Sequence, residues 1–111
     1  EKYGNGESSR DYTYIDDIVD GIISCLFSDK IENFVYNLGN STPIKLNDFI
    51  KTCEQVCNKK AIVNENEMPL GDVPHTYANI SRAKNDFNYH PKTSLHEGLK
   101  KMYEWIVEEG L

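Results

Sequence analysis

Ile15, Ile18, Val19, Ile22, Ile23 and Leu26 recur at the three-and-four spacing of an amphipathic helix. The pattern predicts a helix over Asp16–Ser28 that turns Asp17 and Asp20 toward water, with Asp16 or Asp17 placed to cap its start. Leu46, Phe49, Ile50, Cys53, Val56 and Cys57 repeat the pattern and predict a second helix ending near Asn58. Ser81 can cap a short helix running through Phe87, which Asn88-Tyr89-His90-Pro91 ends. The start signal for the last helix is the clearest in the chain. Ser94-Leu95-His96-Glu97 has the form of a capping box, Leu99, Met102, Tyr103 and Ile106 follow, and Gly110 lies past the end.

Between these helices the pattern shortens. Gly4-Asn5-Gly6 is a turn signal, and the β-branched and aromatic runs Tyr12–Ile15 and Asn33–Leu38 suit strands, with briefer ones at Ala61–Val63 and Thr76–Ala78. Gly39–Pro43 closes the second of these runs as a loop. Glu65–Pro74 carries two prolines and a glycine without periodicity and reads as a loop of about ten residues, a length often given over to function. A helix followed by an apolar strand is half of a βαβ unit, so the class is α/β.

At 111 residues the chain is one domain at most, and short enough to be a piece of a larger one. Its first residues enter mid-motif at a turn. An apolar fraction of 39% leaves a thin core. The net charge of −6 argues against nucleic acid or an anionic membrane as a partner, so an anionic ligand would need a local basic site. Neither a signal peptide nor a membrane-length apolar run is present, which makes the cytoplasm the default location. Cys25, Cys53 and Cys57 are odd in number, lack Cys-x-x-Cys spacing and fall on apolar helix faces, which predicts reduced, packed thiols. His75, His90 and His96 are too scattered to suggest a metal site.

Arg10 is the candidate for ligand contact. It sits where a turn gives way to strand and helix, and its planar guanidinium offers donors in the geometry a phosphate wants. The competing reading is a surface ion pair with Glu7 or Asp11. Gly4-x-Gly6 lacks the third glycine of a dinucleotide fingerprint, because Ser9 stands at that position, and no phosphate-loop Gly-Lys-Ser/Thr occurs. From residues alone the chemistry stays open.

The order of motifs adds to this. Gly-Asn-Gly-x-x-x-Arg-Asp-Tyr-x-Tyr-Ile-x-Asp-Ile-Val-Asp-Gly comes first, then Tyr-Asn-Leu-Gly-Asn. Gly71-Asp72-Val73-Pro74-x-Thr76-Tyr77-Ala78 follows, and a Glu-Gly-Leu-x-x-x-x-x-Trp helix ends the series. Together they resemble the C-terminal part of an extended short-chain dehydrogenase/reductase, the family of NAD-dependent nucleotide-sugar epimerases and dehydratases. Within it the likeness is greatest to the UDP-glucuronate 4-epimerase branch. The resemblance implies a helix-rich, substrate-binding segment of a Rossmann-type enzyme that spans residues 1–111, has short strands and lacks the main NAD-binding sheet. Residues 16–39 would include the last helix and strand of the Rossmann lobe.

The same resemblance implies that Arg10 contacts the pyrophosphate of a UDP-sugar and Asp72 faces the nucleotide ribose. It also implies that NAD is held by an N-terminal lobe absent from this sequence, and that the parent is a homodimer. In such a parent, hydride leaves C4 of the sugar for NAD and returns to the other face. The residues that move it are not expected here. The family's Tyr-x-x-x-Lys pair is missing, since the residues four positions after the seven tyrosines are Glu, Asp, Ile, Asn, Ser, Thr and Val. No catalytic, cofactor-binding or metal residue is therefore assigned, and the segment alone is expected to be inactive. Pro69 stands where galactose-type epimerases carry a second arginine. A dehydratase or decarboxylase of the same superfamily, or a non-catalytic interaction module on the same scaffold, remain as alternatives.

Overall fold

The computed structural model describes residues 1–33 and 35–111. Its elements are β1 (Lys2–Tyr3), β2 (Ser9–Arg10), α1 (Ile15–Leu26), β3 (Ile44–Lys45), α2 (Leu46–Cys57), β4 (Glu65–Asn66), α3 (Ser81–Phe87) and α4 (Leu95–Glu108). β1 pairs in parallel with β4, β2 pairs antiparallel with β3, and Ser9 makes one further parallel bridge to His75.

The turn between β1 and β2 depends on glycine. Gly4 and Gly6 have φ of 73° and 82°, and a Cβ on Gly6 would fall 1.9 Å from Asn47 Oδ1. This close approach lets the turn receive α2: Leu46 N–H donates to the Ser8 carbonyl (2.9 Å) and Asn47 N–H to the Gly6 carbonyl (3.0 Å). Two of the first-turn donors that a helix cannot satisfy internally are thus paired. Asn58 and Asn88, both in the left-handed conformation, end α2 and α3. Ser94 caps α4 as expected, its Oγ accepting from Glu97 N–H at 3.2 Å.

α2 lies against α4, and α1 against α3. The buried core is small, consisting of Ile80, Ala83, Phe87 and Tyr89, with Cys25, Tyr36, Leu38 and Ala78 packed on it. Tyr36 meets Phe87 edge-on at 4.9 Å. Its hydroxyl donates to Asp86 Oδ2 (2.5 Å), beside Asn33 Nδ2 (2.9 Å), and these bonds hold the Asp86 carboxyl below its ordinary pKa. The three cysteines are free thiols, each partly buried.

Several expectations need correction. Asp17 does not face water and does not cap α1. It is 2% exposed, while Tyr14 occupies the cap position without a side-chain bond. The Asp17 carboxylate instead accepts from Lys92 N–H (3.2 Å) and Thr93 N–H (2.9 Å), so an incoming loop takes the bonds that the helix start would have received. The strand expected at Tyr12–Ile15 lies earlier, at Ser9–Arg10, because β3 and His75 pair there. Of the Asn33–Leu38 strand, Phe34 lies outside the described residues, and no ladder forms among the others. Tyr36 and Leu38 pack on the core while their backbone lacks a neighbouring strand among the described residues. Ala61–Val63 is exposed and unladdered, and pairing resumes at β4. Thr76–Ala78 forms no ladder among the described residues, and the single Ser9–His75 bridge lies just before it.

Candidate functional site

Arg10 ends β2, and three acceptors hold its side chain. Nη1 donates to the Ser9 carbonyl (2.8 Å) and the Pro74 carbonyl (3.3 Å), and Nη2 donates to Asp72 Oδ1 (3.1 Å). The structure therefore joins the two residues singled out from the sequence, 62 positions apart, in one ion pair. Their side chains remain 34% and 38% exposed. A pair this exposed contributes about 0–1 kcal/mol, so its main effect is to fix geometry. The remaining guanidinium N–H groups have no acceptor among the described residues.

The Asp72 loop is shaped by a turn in which Asp72 N–H donates to the Pro69 carbonyl (3.2 Å) and Gly71 supplies φ of 83°. Asp72 Oδ1 also accepts from Val73 N–H (3.0 Å), leaving the second carboxylate oxygen open among the described residues. Leu70, Val73 and Tyr77, in the same stretch of chain as Asp72, are exposed. On the other side of the strand, the Ser9 hydroxyl lies 2.9 Å from His75 Nδ1.

Neither of the expected surface partners of Arg10 takes that role. Glu7 pairs with Lys45 Nζ (2.7 Å), which lowers the Glu7 pKa and raises that of Lys45. Asp11 turns inward, accepting from Asn40 N–H (3.1 Å) on Oδ1 and from Ser41 N–H (2.9 Å) and Ala78 N–H (3.0 Å) on Oδ2. Sequence reasoning missed this clamp, because its donors lie 29, 30 and 67 residues away and no local pattern marks them. Gly39 is necessarily glycine beside it, since a Cβ there would come within 2.7 Å of Asp11 Oδ2 and 2.6 Å of Ala78 Cβ.

A second feature is an apolar groove of about 530 Å³ between the segment before α1 and helix α4, lined by Tyr12, Tyr14, Phe49, Leu99, Met102 and Trp105 among others. Tyr12 stacks on Phe49 with ring centroids 4.3 Å apart. Desolvation there, as its largest cause, raises the Tyr12 pKa. Gly4 packs against Met68, and Gly6 against the side chain of Asn47 in the first turn of α2.

The arrangement of elements matches that of solved Rossmann-type nucleotide-sugar enzymes. A UDP-glucuronic acid 4-epimerase from Bacillus cereus, crystallised with UDP-glucuronic acid and NAD, superposes with a TM-score of 0.88 at 32% identity. That match covers 97% of this chain and 35% of the epimerase. This defines the class, that of the extended short-chain dehydrogenases/reductases. The family described as GDP-mannose 4,6 dehydratase matches residues 1–102, and the chain belongs to that family of nucleotide-sugar epimerases and dehydratases.

Among its relatives, an uncharacterized protein of Methanocaldococcus jannaschii is 43% identical over 97% of this chain and 33% of its own length. UDP-glucuronate 4-epimerase 2 of Arabidopsis thaliana is 39% identical over 96% of this chain and 28% of its own. The chain thus spans about a third of the length of the proteins it matches. Among the described residues no helix is long and apolar enough to cross a membrane.

Proposed function

We propose that these 111 residues are the substrate-side segment of an NAD-dependent nucleotide-sugar epimerase acting on a UDP-sugar, with UDP-glucuronate the first substrate to test. The observation that carries the reading is the Arg10–Asp72 junction. Two backbone carbonyls and one carboxylate hold the guanidinium at an exposed edge, with donors still open, beside a carboxylate that has an open oxygen. Such a cationic fork suits phosphate oxygens, and such a carboxylate suits ribose hydroxyls. The likeness to UDP-glucuronate epimerases at 32–39% identity supports the choice of nucleotide-sugar.

In this reading NAD belongs to the rest of the parent, a homodimer whose other lobe meets the apolar faces of this segment. These residues contribute binding energy and orientation rather than hydride transfer, and the segment alone is inactive. In the full-length protein Arg10→Ala weakens UDP-glucuronate binding by about tenfold or more. Titration calorimetry reads this directly, and unchanged affinity would remove Arg10 from the site. The family description also names a dehydratase, and product analysis after incubation with UDP-glucuronate separates the reactions. An epimerase returns the C4-inverted uronate, whereas a dehydratase or decarboxylase releases water or carbon dioxide.

A further inference from the structure

We infer that Asp11 is a positioning residue for the ligand site, acting through Arg10; this rests on the UDP-sugar reading of Arg10. Arg10 and Asp11 are consecutive, and together they secure the 72–78 segment at three points. Arg10 bonds Asp72 and the Pro74 carbonyl, and Asp11 bonds Ala78 N–H. Backbone bonds from Ser9 N–H to the Pro74 carbonyl (2.8 Å) and from Thr76 N–H to the Ser9 carbonyl (3.1 Å) lie between them. The same carboxylate gathers Asn40 and Ser41, and Ser41 is held at φ of 55°, a conformation that a serine rarely adopts without such support. Gly39 closes this arrangement from behind, its carbonyl accepting from the buried Tyr89 hydroxyl at 2.7 Å.

Asp11 thus accepts from three backbone N–H donors of this chain, one on Oδ1 and two on Oδ2. What it does is join the 39–41 loop to the segment that carries Asp72, with the Arg10 backbone as the shared point. Displacing the 72–78 segment relative to β2 would misplace both Asp72 and the Pro74 carbonyl, two of the three acceptors that fix the guanidinium. Replacing the carboxylate with an amide leaves one acceptor oxygen and turns an NH2 group toward N–H donors, so at least one of the three bonds is lost.

The test is a double-mutant cycle in the full-length protein, with UDP binding followed by calorimetry. Asp11→Asn is expected to weaken UDP binding by about tenfold in the otherwise unaltered protein. In the Arg10→Ala background it should cost little more, because the group it positions is gone. Equal losses in both backgrounds, or no loss in either, would overturn the inference. If Arg10→Ala alone leaves UDP affinity unchanged, the reading beneath it fails, and with it this role for Asp11. Amide exchange in the unaltered protein covers the case in which Asp11→Asn does not fold. UDP should slow exchange at Asn40, Ser41 and Ala78, whereas a purely structural clamp would leave those rates unmoved by ligand and defeat the proposal.

Discussion

Asp17 shows how a single residue can be read correctly as to chemistry and wrongly as to place. An aspartate in the first turn of a helix is normally a cap or a complement to the helix dipole, and nothing nearby in the sequence suggests otherwise. Its partners arrive from 75 and 76 residues further along, at Lys92 and Thr93, and only the fold brings them. Asp17→Ala would leave the N–H of buried Thr93 unpaired, while that of exposed Lys92 can turn to water. The expected loss is about 2–3 kcal/mol, weighted toward Thr93. Urea unfolding should show a lower midpoint with unchanged slope, and a shift no larger than that of Asp20→Ala on the exposed face would show that the buried bonds carry no stability. The motif order singled out Arg10 and Asp72, and the fold joins them in an ion pair, though neither residue has a local signature for that pairing. The role of Asp11 was not legible, because it carries no local signature.

The helices were legible as elements because an amphipathic period is a local property of the chain. The strands were not, because a ladder requires a partner that no local pattern supplies; hence the shift from Tyr12–Ile15 to Ser9–Arg10 and the missing ladder among the described residues of 33–38. Two helical glycines separate propensity from packing. Alanine at either would gain up to about 1 kcal/mol of helix propensity. At Gly21 the new Cβ would lie 2.9 Å from ring carbons of Tyr89 and 3.0 Å from Leu38 Cδ1, and Tyr89 is buried with its hydroxyl fixed on Gly39. Overpacking of about 1–3 kcal/mol outweighs the propensity there, so Gly21→Ala destabilises. At Gly98 the nearest atom is Tyr14 Cδ2 at 3.3 Å, on a partly buried ring lining the open groove, which can yield by a few tenths of an ångström. Gly98→Ala should be neutral or stabilising. Thermal melts of the two variants with opposite signs are the expected result, and two equal shifts would contradict it.

At the scale of the molecule, the segment is a slab of 49 × 38 × 18 Å with a radius of gyration of 16.5 Å, against about 13 Å for a compact domain of this length. Its accessible surface of 8168 Å² exceeds by roughly 1,900 Å² the value expected for a folded monomer of its mass. That excess is more than one partner's share of a standard stable interface, about 800 Å². Much of the exposed area is apolar and lies on α1, where Ile15, Val19, Ile22, Ile23 and Leu26 are 42–73% exposed, and on the groove beside α4. The period that predicts α1 therefore describes a face that this chain leaves exposed, and under the proposed function a lobe of the same parent would cover it. Ile22→Lys distinguishes this from an ordinary surface, because the sign of its effect depends on context. In the 111-residue segment alone the lysine meets water, so it should leave the fold intact and reduce the self-association that sedimentation of the unaltered segment is expected to show. In the full-length protein it would place a charge in a buried contact and cost about 2–4 kcal/mol, read as a lower unfolding midpoint. A full-length protein indifferent to the substitution, or an unaltered segment that melts cooperatively at high temperature as a monomer, would mean that α1 presents a solvent face and that the slab is stable without a partner lobe.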